Sequence, residues 1–201
     1  MPKIALIGAG SVVFARTLIS DILTFPELHD STIALMDIDQ ERLELITALA
    51  LRMVAQEGAE TRIQSTLDRR EALRDADYVI IVIQVGGLEM FEMDIKIPLR
   101  YGIDQTVGDT IGPGGVFRGL RTIPVLLDIC HDMRDLCPEA LLINYSNPMA
   151  INCWAMNRAG GVRNIGLCHS VQGTAMQLAN YIGAPYEEVT YWVAGINHMA
   201  W

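Results

Sequence analysis

The stretch Lys3-Ile4-Ala5-Leu6-Ile7-Gly8-Ala9-Gly10-Ser11 constrains this chain more than any other. Apolar residues run into a glycine-rich corner, and a helical periodicity begins at once. Val12, Val13, Phe14, Thr17, Leu18, Ile19, Ile22 and Leu23 carry it until Pro26 stops it. An apolar run this short predicts a strand buried on both faces, as in a parallel sheet. A tight turn from such a strand into a helix N-terminus is a place to bind a pyrophosphate. Glycines let the backbone approach the phosphates, while free N–H groups and the helix dipole stabilise their charge. The dinucleotide fingerprint has a third glycine, and that position is Val13 here. The corner alone is therefore a weak signal, because any short buried strand and turn has this look.

Asp37 is the second residue that the argument needs. Ser31-Thr32-Ile33-Ala34-Leu35-Met36 reads as a second strand and ends in Asp37-Ile38-Asp39. A carboxylate at the tip of the second strand accepts hydrogen bonds from an adenosine ribose and favours NAD over NADP. Its spacing from Gly10 is somewhat longer than the usual roughly 20 residues, which an extra helical turn absorbs. Asp39 suits the N-cap of a helix beginning near Gln40, so the ribose role goes to Asp37. Together the two signals point to a dinucleotide site.

With 201 residues, 51% hydrophobic and 19% charged, the chain has the composition of an ordered globular fold with one substantial core. A formal net charge of -9 argues against nucleic acid or an anionic membrane as partner, since both need basic patches. Lys3 leads directly into a strand with no signal-peptide pattern, and apolar runs such as 79–83 are far too short to span a bilayer. A cytoplasmic protein is expected. Cys130, Cys137, Cys153 and Cys168 show no CxxC spacing, which reads as reduced thiols. Cys130 and Cys137 lie one heptad apart, as two core positions would, and Cys153 fits the same logic on the next helix.

Along the rest of the chain, an amphipathic helix is expected over 40–56, a short edge strand over 62–66, a brief helix around Leu73 and a buried strand over 78–83. Gln84 and Gly86-Gly87 then sit at a strand's carboxyl end, where open α/β sheets place their ligands. A helix over 89–101 is interrupted at Pro98. Residues 102–115 hold five glycines and a proline, a loop length usually reserved for function. A helix from Val116 to about Leu136 turns Leu120, Ile123, Leu126, Leu127 and Ile129 inward. A strand over 140–145 ends in Ser146-Asn147-Pro148, with Pro148 suited to the first turn of a helix. Strand 164–167 ends in Cys168-His169-Ser170, a helix covers 174–181, and 189–194 alternates like a strand. The alternation gives a Rossmann-like, doubly wound, mostly parallel α/β sheet. Residues 1–194 form the dinucleotide-binding domain on this reading, and 195–201 begin a carboxyl-terminal catalytic domain that this chain largely lacks.

Gln84, Asn144, Asn147, Cys168, His169, Asn197 and His198 gather at predicted strand ends on one side of the sheet. A thiolate and an imidazole at Cys168 and His198 are a possible pair of divalent-metal ligands with open positions for substrate. Two ligands so far apart in sequence are not a motif, and the residues alone favour a buried small hydrophobe at Cys168 and a hydrogen-bonded loop residue at His198. A Cys–His nucleophile pair for acyl transfer is a third reading, but it has no local signature and fits poorly beside a dinucleotide.

These motifs, in order, carry a resemblance: Gly8-Ala9-Gly10-Ser11, Met36-Asp37-Ile38-Asp39, Gly108-Asp109-Thr110-Ile111-Gly112-Pro113-Gly114-Gly115, Asn147-Pro148-Met149-Ala150, Gly166-Leu167-Cys168-His169-Ser170-Val171-Gln172-Gly173-Thr174 and Gly195-Ile196-Asn197-His198-Met199-Ala200-Trp201. The chain resembles glycoside hydrolase family 4, an NAD- and metal-dependent exception to two-carboxylate glycosidases. The run from Cys168 to Thr174 is most similar to its α-galactosidase branch.

The resemblance implies an α-galactosidase that uses NAD and Mn²⁺ catalytically. In that scheme hydride leaves the sugar's C3, the resulting ketone acidifies C2, and the glycosidic oxygen is eliminated. Water then adds at C1 and the hydride returns. It implies Cys168 and His198 as metal ligands, Asn147 and Asn197 as substrate contacts, and Gly8, Gly10, Ser11, Asp37, Gln84 and Asn144 as cofactor contacts. Asp109 falls where the family has an acidic residue supporting a basic tyrosine, and that tyrosine is expected beyond Trp201. His169 replaces the aspartate general acid of the phospho-glycosidase branch, and it either protonates the leaving oxygen or orients Cys168. Phe91 falls near that branch's phosphate-binding arginine, which favours a non-phosphorylated sugar. A small glycoside substrate and a homodimer or homotetramer are expected, and the 201-residue chain alone is expected to be inactive. Related alternatives are an α-glucosidase or an α-glucuronidase or galacturonidase. Of other classes, a 2-hydroxyacid dehydrogenase shares the fold but has no use for Cys168, and a non-catalytic dinucleotide-binding module is the remaining possibility.

Overall fold

The computed structural model describes residues 1–105, 112–168, 170–195 and 201. Its centre is a six-stranded sheet in the order β3-β2-β1-β4-β5-β6, parallel at every pairing. The strands are β1 (Lys3–Ile7), β2 (Thr32–Met36), β3 (Arg62–Thr66), β4 (Tyr78–Ile81), β5 (Leu141–Asn144) and β6 (Asn164–Gly166). Between and after them come helices α1 (Val12–Leu23), α2 (Gln40–Glu57), α3 (Arg69–Leu73), α4 (Gly87–Leu99), α5 (Pro113–Leu136), α6 (Met149–Ala155) and α7 (Ser170–Ile182). The doubly wound α/β class expected from the sequence is what the chain adopts.

Successive strand residues face opposite ways, so each apolar strand supplies two cores. Ile4 and Leu6 join Ile33, Leu35 and Ile80 against Ala15, Ile19 and Leu23 of α1 and Leu43, Ile46 and Ala50 of α2. Ala5 and Ile7 join Val79, Ile81 and Leu142 against Leu126, Ile129 and Met133 of α5, with Leu73 of α3 alongside. Each fully buried Leu or Ile contributes on the order of 1.5–3 kcal/mol. The central strands are therefore the part of the fold least able to move. Cys130 and Cys137 are core residues as expected, and burial pushes both thiols up to about 11.

Several boundaries differ from the sequence reading for physical reasons. The β4 ladder stops at Ile81 because β1 turns away at Gly8, although Val82 N still donates to Ile7 O at 2.9 Å. Helix α5 begins at Pro113, whose missing N–H costs nothing in a first turn. Leu120, expected to face inward, is 63% exposed. The inner face of the first half of α5 is instead Gly114, Gly115, Arg118, Gly119 and Thr122. Helix α7 starts at Ser170 rather than Thr174. The strand expected over 189–194 is not formed: the sheet's pairings end with β5–β6, and alternation without a ladder partner cannot make a strand. Trp192 there is 82% exposed.

Candidate active site

Strand order reverses between β1 and β4, and the loops leaving their carboxyl ends flank the crevice at that switch point. On one side lies the glycine corner. Gly8 has φ +90°, and a Cβ there would stand 2.8 Å from Val82 O. Its N–H and that of Ala9 both donate to Met36 O at 2.9 Å. Gly10 N donates to Asp37 Oδ2 at 2.7 Å, and a Cβ at Gly10 would stand 2.8 Å from both that oxygen and Arg42 Cβ. Ser11 is the N-cap of α1, and its side chain makes no capping bond. The first turn of α1 leaves N–H groups with no acceptor inside the helix. Val13, at the third fingerprint position, is 70% exposed, so it stays out of the helix–sheet contact made by Ala15 and Ile19. Asp39 caps α2 by accepting from Arg42 N at 3.1 Å, and its own N–H donates to Asp37 Oδ1 at 3.0 Å. Asp39 is thus the helix cap expected from the sequence, while both carboxylate oxygens of Asp37 accept backbone N–H groups of the corner.

Across the crevice, Gln84 follows β4. Its Nε2 donates to Gly87 O at 3.0 Å, and Arg118 Nη2 lies 3.5 Å from its Oε1. The Arg118 guanidinium also stands over the Phe91 ring, 5.5 Å from its centroid. Asp94 of α4 is buried and takes Arg121 in a bidentate pair at 3.1 and 2.6 Å, while Arg121 Nε reaches Val85 O at 3.3 Å. Arg118, Arg121 and Asp94 were not singled out from the sequence. The available signal was Gly114 and Gly119, which let α5 pack closely: a Cβ would collide with Asp94 O at the first and stand 2.8 Å from Ile151 Cγ2 at the second.

At the end of β5, the Asn144 side chain is fully buried. Its Nδ2 donates to Ser146 O at 2.9 Å and its Oδ1 accepts from Ser146 N at 3.1 Å. The amide that the sequence places in contact with cofactor is thus spent on its own turn. Asn147, by contrast, is exposed, and the Asn147–Pro148 peptide is cis. Cys168 follows β6, half-buried, with Leu167 N donating to Asn144 O at 3.0 Å just before it. The crevice edge therefore collects Gly8, Gly10, Ser11, Asp37, Gln84, Asn147 and Cys168. Asp109, His169, Asn197 and His198 lie outside the described residues, and among the described residues no three His, Cys, Asp or Glu side chains cluster as a metal site.

The sequence profile of Family 4 glycosyl hydrolase matches residues 3–184. The chain belongs to this family. Among its family 4 relatives, the α-galactosidase of Rhizobium meliloti (strain 1021) is 48% identical over 99% of this chain and 41% of that protein. The α-galactosidase of Bacillus subtilis (strain 168) is 45% identical over 100% and 47%. The 6-phospho-β-glucosidase of Thermotoga maritima, solved with manganese, NAD⁺ and glucose-6-phosphate, superposes with a TM-score of 0.82 at 28% identity, covering 94% of this chain and 45% of that one. The family 4 chain thus spans less than half the length of these relatives.

Proposed function

We propose that this chain is the NAD-binding part, residues 1–194, of a glycosidase that hydrolyses α-galactosides with NAD and Mn²⁺, residues 195–201 opening its catalytic domain. The observation that carries the reading is the Asp37–Gly10 corner at the β1/β4 switch point, on the same sheet edge as Asn147 and Cys168. The corner fits a dinucleotide. Gly8 and Gly10 leave room that a Cβ would fill, the α1 first turn offers N–H groups to a pyrophosphate, and Asp37 keeps lone pairs for ribose hydroxyls. Cys168 and His198 fit a divalent cation as a soft and an imidazole donor. When bound, NAD⁺ would supply a hydride acceptor and Mn²⁺ would supply positive charge to stabilise the anion that forms. Asn147 and Asn197 orient the sugar hydroxyls. His169 gives a proton to the leaving oxygen or fixes Cys168. Asp109 supports a base contributed by the rest of the whole protein.

Four free cysteines suit a reducing, cytoplasmic location, and no helix among the described residues is long and apolar enough to cross a membrane. Exposed Val116, Phe117 and Leu120 on α5 suit a homodimer or homotetramer. The test uses the whole protein with p-nitrophenyl α-galactoside. Turnover should require NAD⁺ and Mn²⁺, and substrate deuterated at C2 should lose its label to solvent. Full activity in EDTA, or retention of the C2 label, would sink the reading. Faster turnover of the α-glucoside or galacturonide in a substrate panel would move the sugar assignment alone.

A further inference from the structure

Resting on the reading of Asn147 as a substrate contact, we propose that Asn152 is a positioning residue whose buried amide aims Asn147 into the site. Asn147 is exposed, but the residues on either side of it, Ser146 and Pro148, are buried. Ser146 is fixed from several directions. Its N–H and carbonyl are held by the Asn144 amide, its Oγ accepts from Ile83 N at 2.9 Å just past the end of β4, and its carbonyl accepts a second bond from Asn152 Nδ2 at 3.1 Å. That last bond ties the turn to α6, the helix that follows it, so the segment carrying Asn147 is anchored at both ends.

Asn152 is an unfavourable choice on stability grounds. It is 0% exposed, and its Oδ1 finds no donor among the described residues. A buried acceptor without a partner is destabilising, and asparagine is a poorer helix former than leucine. An apolar residue of similar volume would avoid both costs but could not hold the Ser146 carbonyl. A polar group kept against local stability points to a role in the geometry of the site.

The test compares Asn152→Leu, Asn152→Ala and Asn147→Ala in the whole protein, with Ile19→Val in the opposite core as a packing control. The Asn152 variants should fold, and Asn152→Leu should match or exceed the wild-type thermal midpoint. KM for p-nitrophenyl α-galactoside should rise about tenfold, the scale of one lost positioning hydrogen bond, with NAD affinity unchanged. Ile19→Val should lower the midpoint without moving KM. Wild-type KM in both folded Asn152 variants would overturn the proposal. So would an equal loss of NAD affinity, or failure of both variants to fold, since each shows a general structural role. A wild-type KM in Asn147→Ala would overturn the underlying reading of Asn147, separately from the inference about Asn152.

Discussion

Asp37 accepts one hydrogen bond on each carboxylate oxygen within the fold, from Gly10 N and Asp39 N. A carboxylate has about four acceptor directions, so two remain for the paired hydroxyls of a ribose. The same group therefore shapes the corner and reads the ligand. Asp37→Ala should weaken NAD by roughly 10- to 100-fold, since hydrogen bonds to a charged group are worth about 1.5–3 kcal/mol. NADP should lose less, because the carboxylate also repels its phosphate. Calorimetric titration of the whole protein with both nucleotides measures the ratio, and an unchanged NAD affinity would remove Asp37 from the ribose. This corner was legible in the sequence because its constraints are local: a turn that requires glycine, then an acid at the next strand's tip. Asp94, Arg118 and Asn152 were not, since each acts through a contact with another element that only the folded chain brings near.

Helix α4 illustrates the same division at the scale of elements. Pro98 was expected to interrupt the helix, but it sits in the last turn. A proline there has no N–H for the carbonyl four residues back, which belongs to Asp94. Gln105 Nε2 donates to that carbonyl instead, at 2.8 Å, so the defect becomes an anchor for the chain leaving the helix. On the α5 side of the sheet, α3 and α5 are joined by Asp132, which is buried and paired with Arg69 and Arg70. Burial alone would raise its pKa, but the hydrogen bonds and charges of the two arginines outweigh that and hold the carboxyl below its usual value of 3.8. A depressed folded pKa means that this stabilisation is fully present above the unfolded value. It declines as pH falls below about 3.8 and is lost once pH passes the folded pKa. Asp132→Asn should cost about 1–3 kcal/mol at neutral pH and flatten the acid limb of stability. Urea midpoints from pH 6 downward, a range on the order of the carboxylate titration, check this. Wild-type and variant curves that stay parallel through the acid limb would assign the pair no role in it.

For the molecule as a whole, stability and chemistry are drawn from different places. Both cores are built from strand and helix side chains that need no ligand, whereas the proposed metal donors Cys168 and His198 follow the last strand. NAD, by contrast, would bridge the ends of the central strands, which unfold only with the cores. Removing metal and removing cofactor should therefore have unlike effects. EDTA should abolish turnover by the whole protein while leaving its thermal midpoint nearly unchanged. NAD at about 100 times its Kd should stabilise the folded state by about 2.7 kcal/mol. For a domain of this size that is a rise of roughly 5–10 °C, at about 2–4 °C per kcal/mol. Differential scanning fluorimetry with each addition alone separates the two. A large drop with EDTA would mean that the metal holds the fold together, and the absence of any rise with NAD would mean that the dinucleotide does not bind at the switch point. Activity lost with the fold intact is the pattern expected of a sheet that folds on its apolar strands and of a metal that serves only the chemistry.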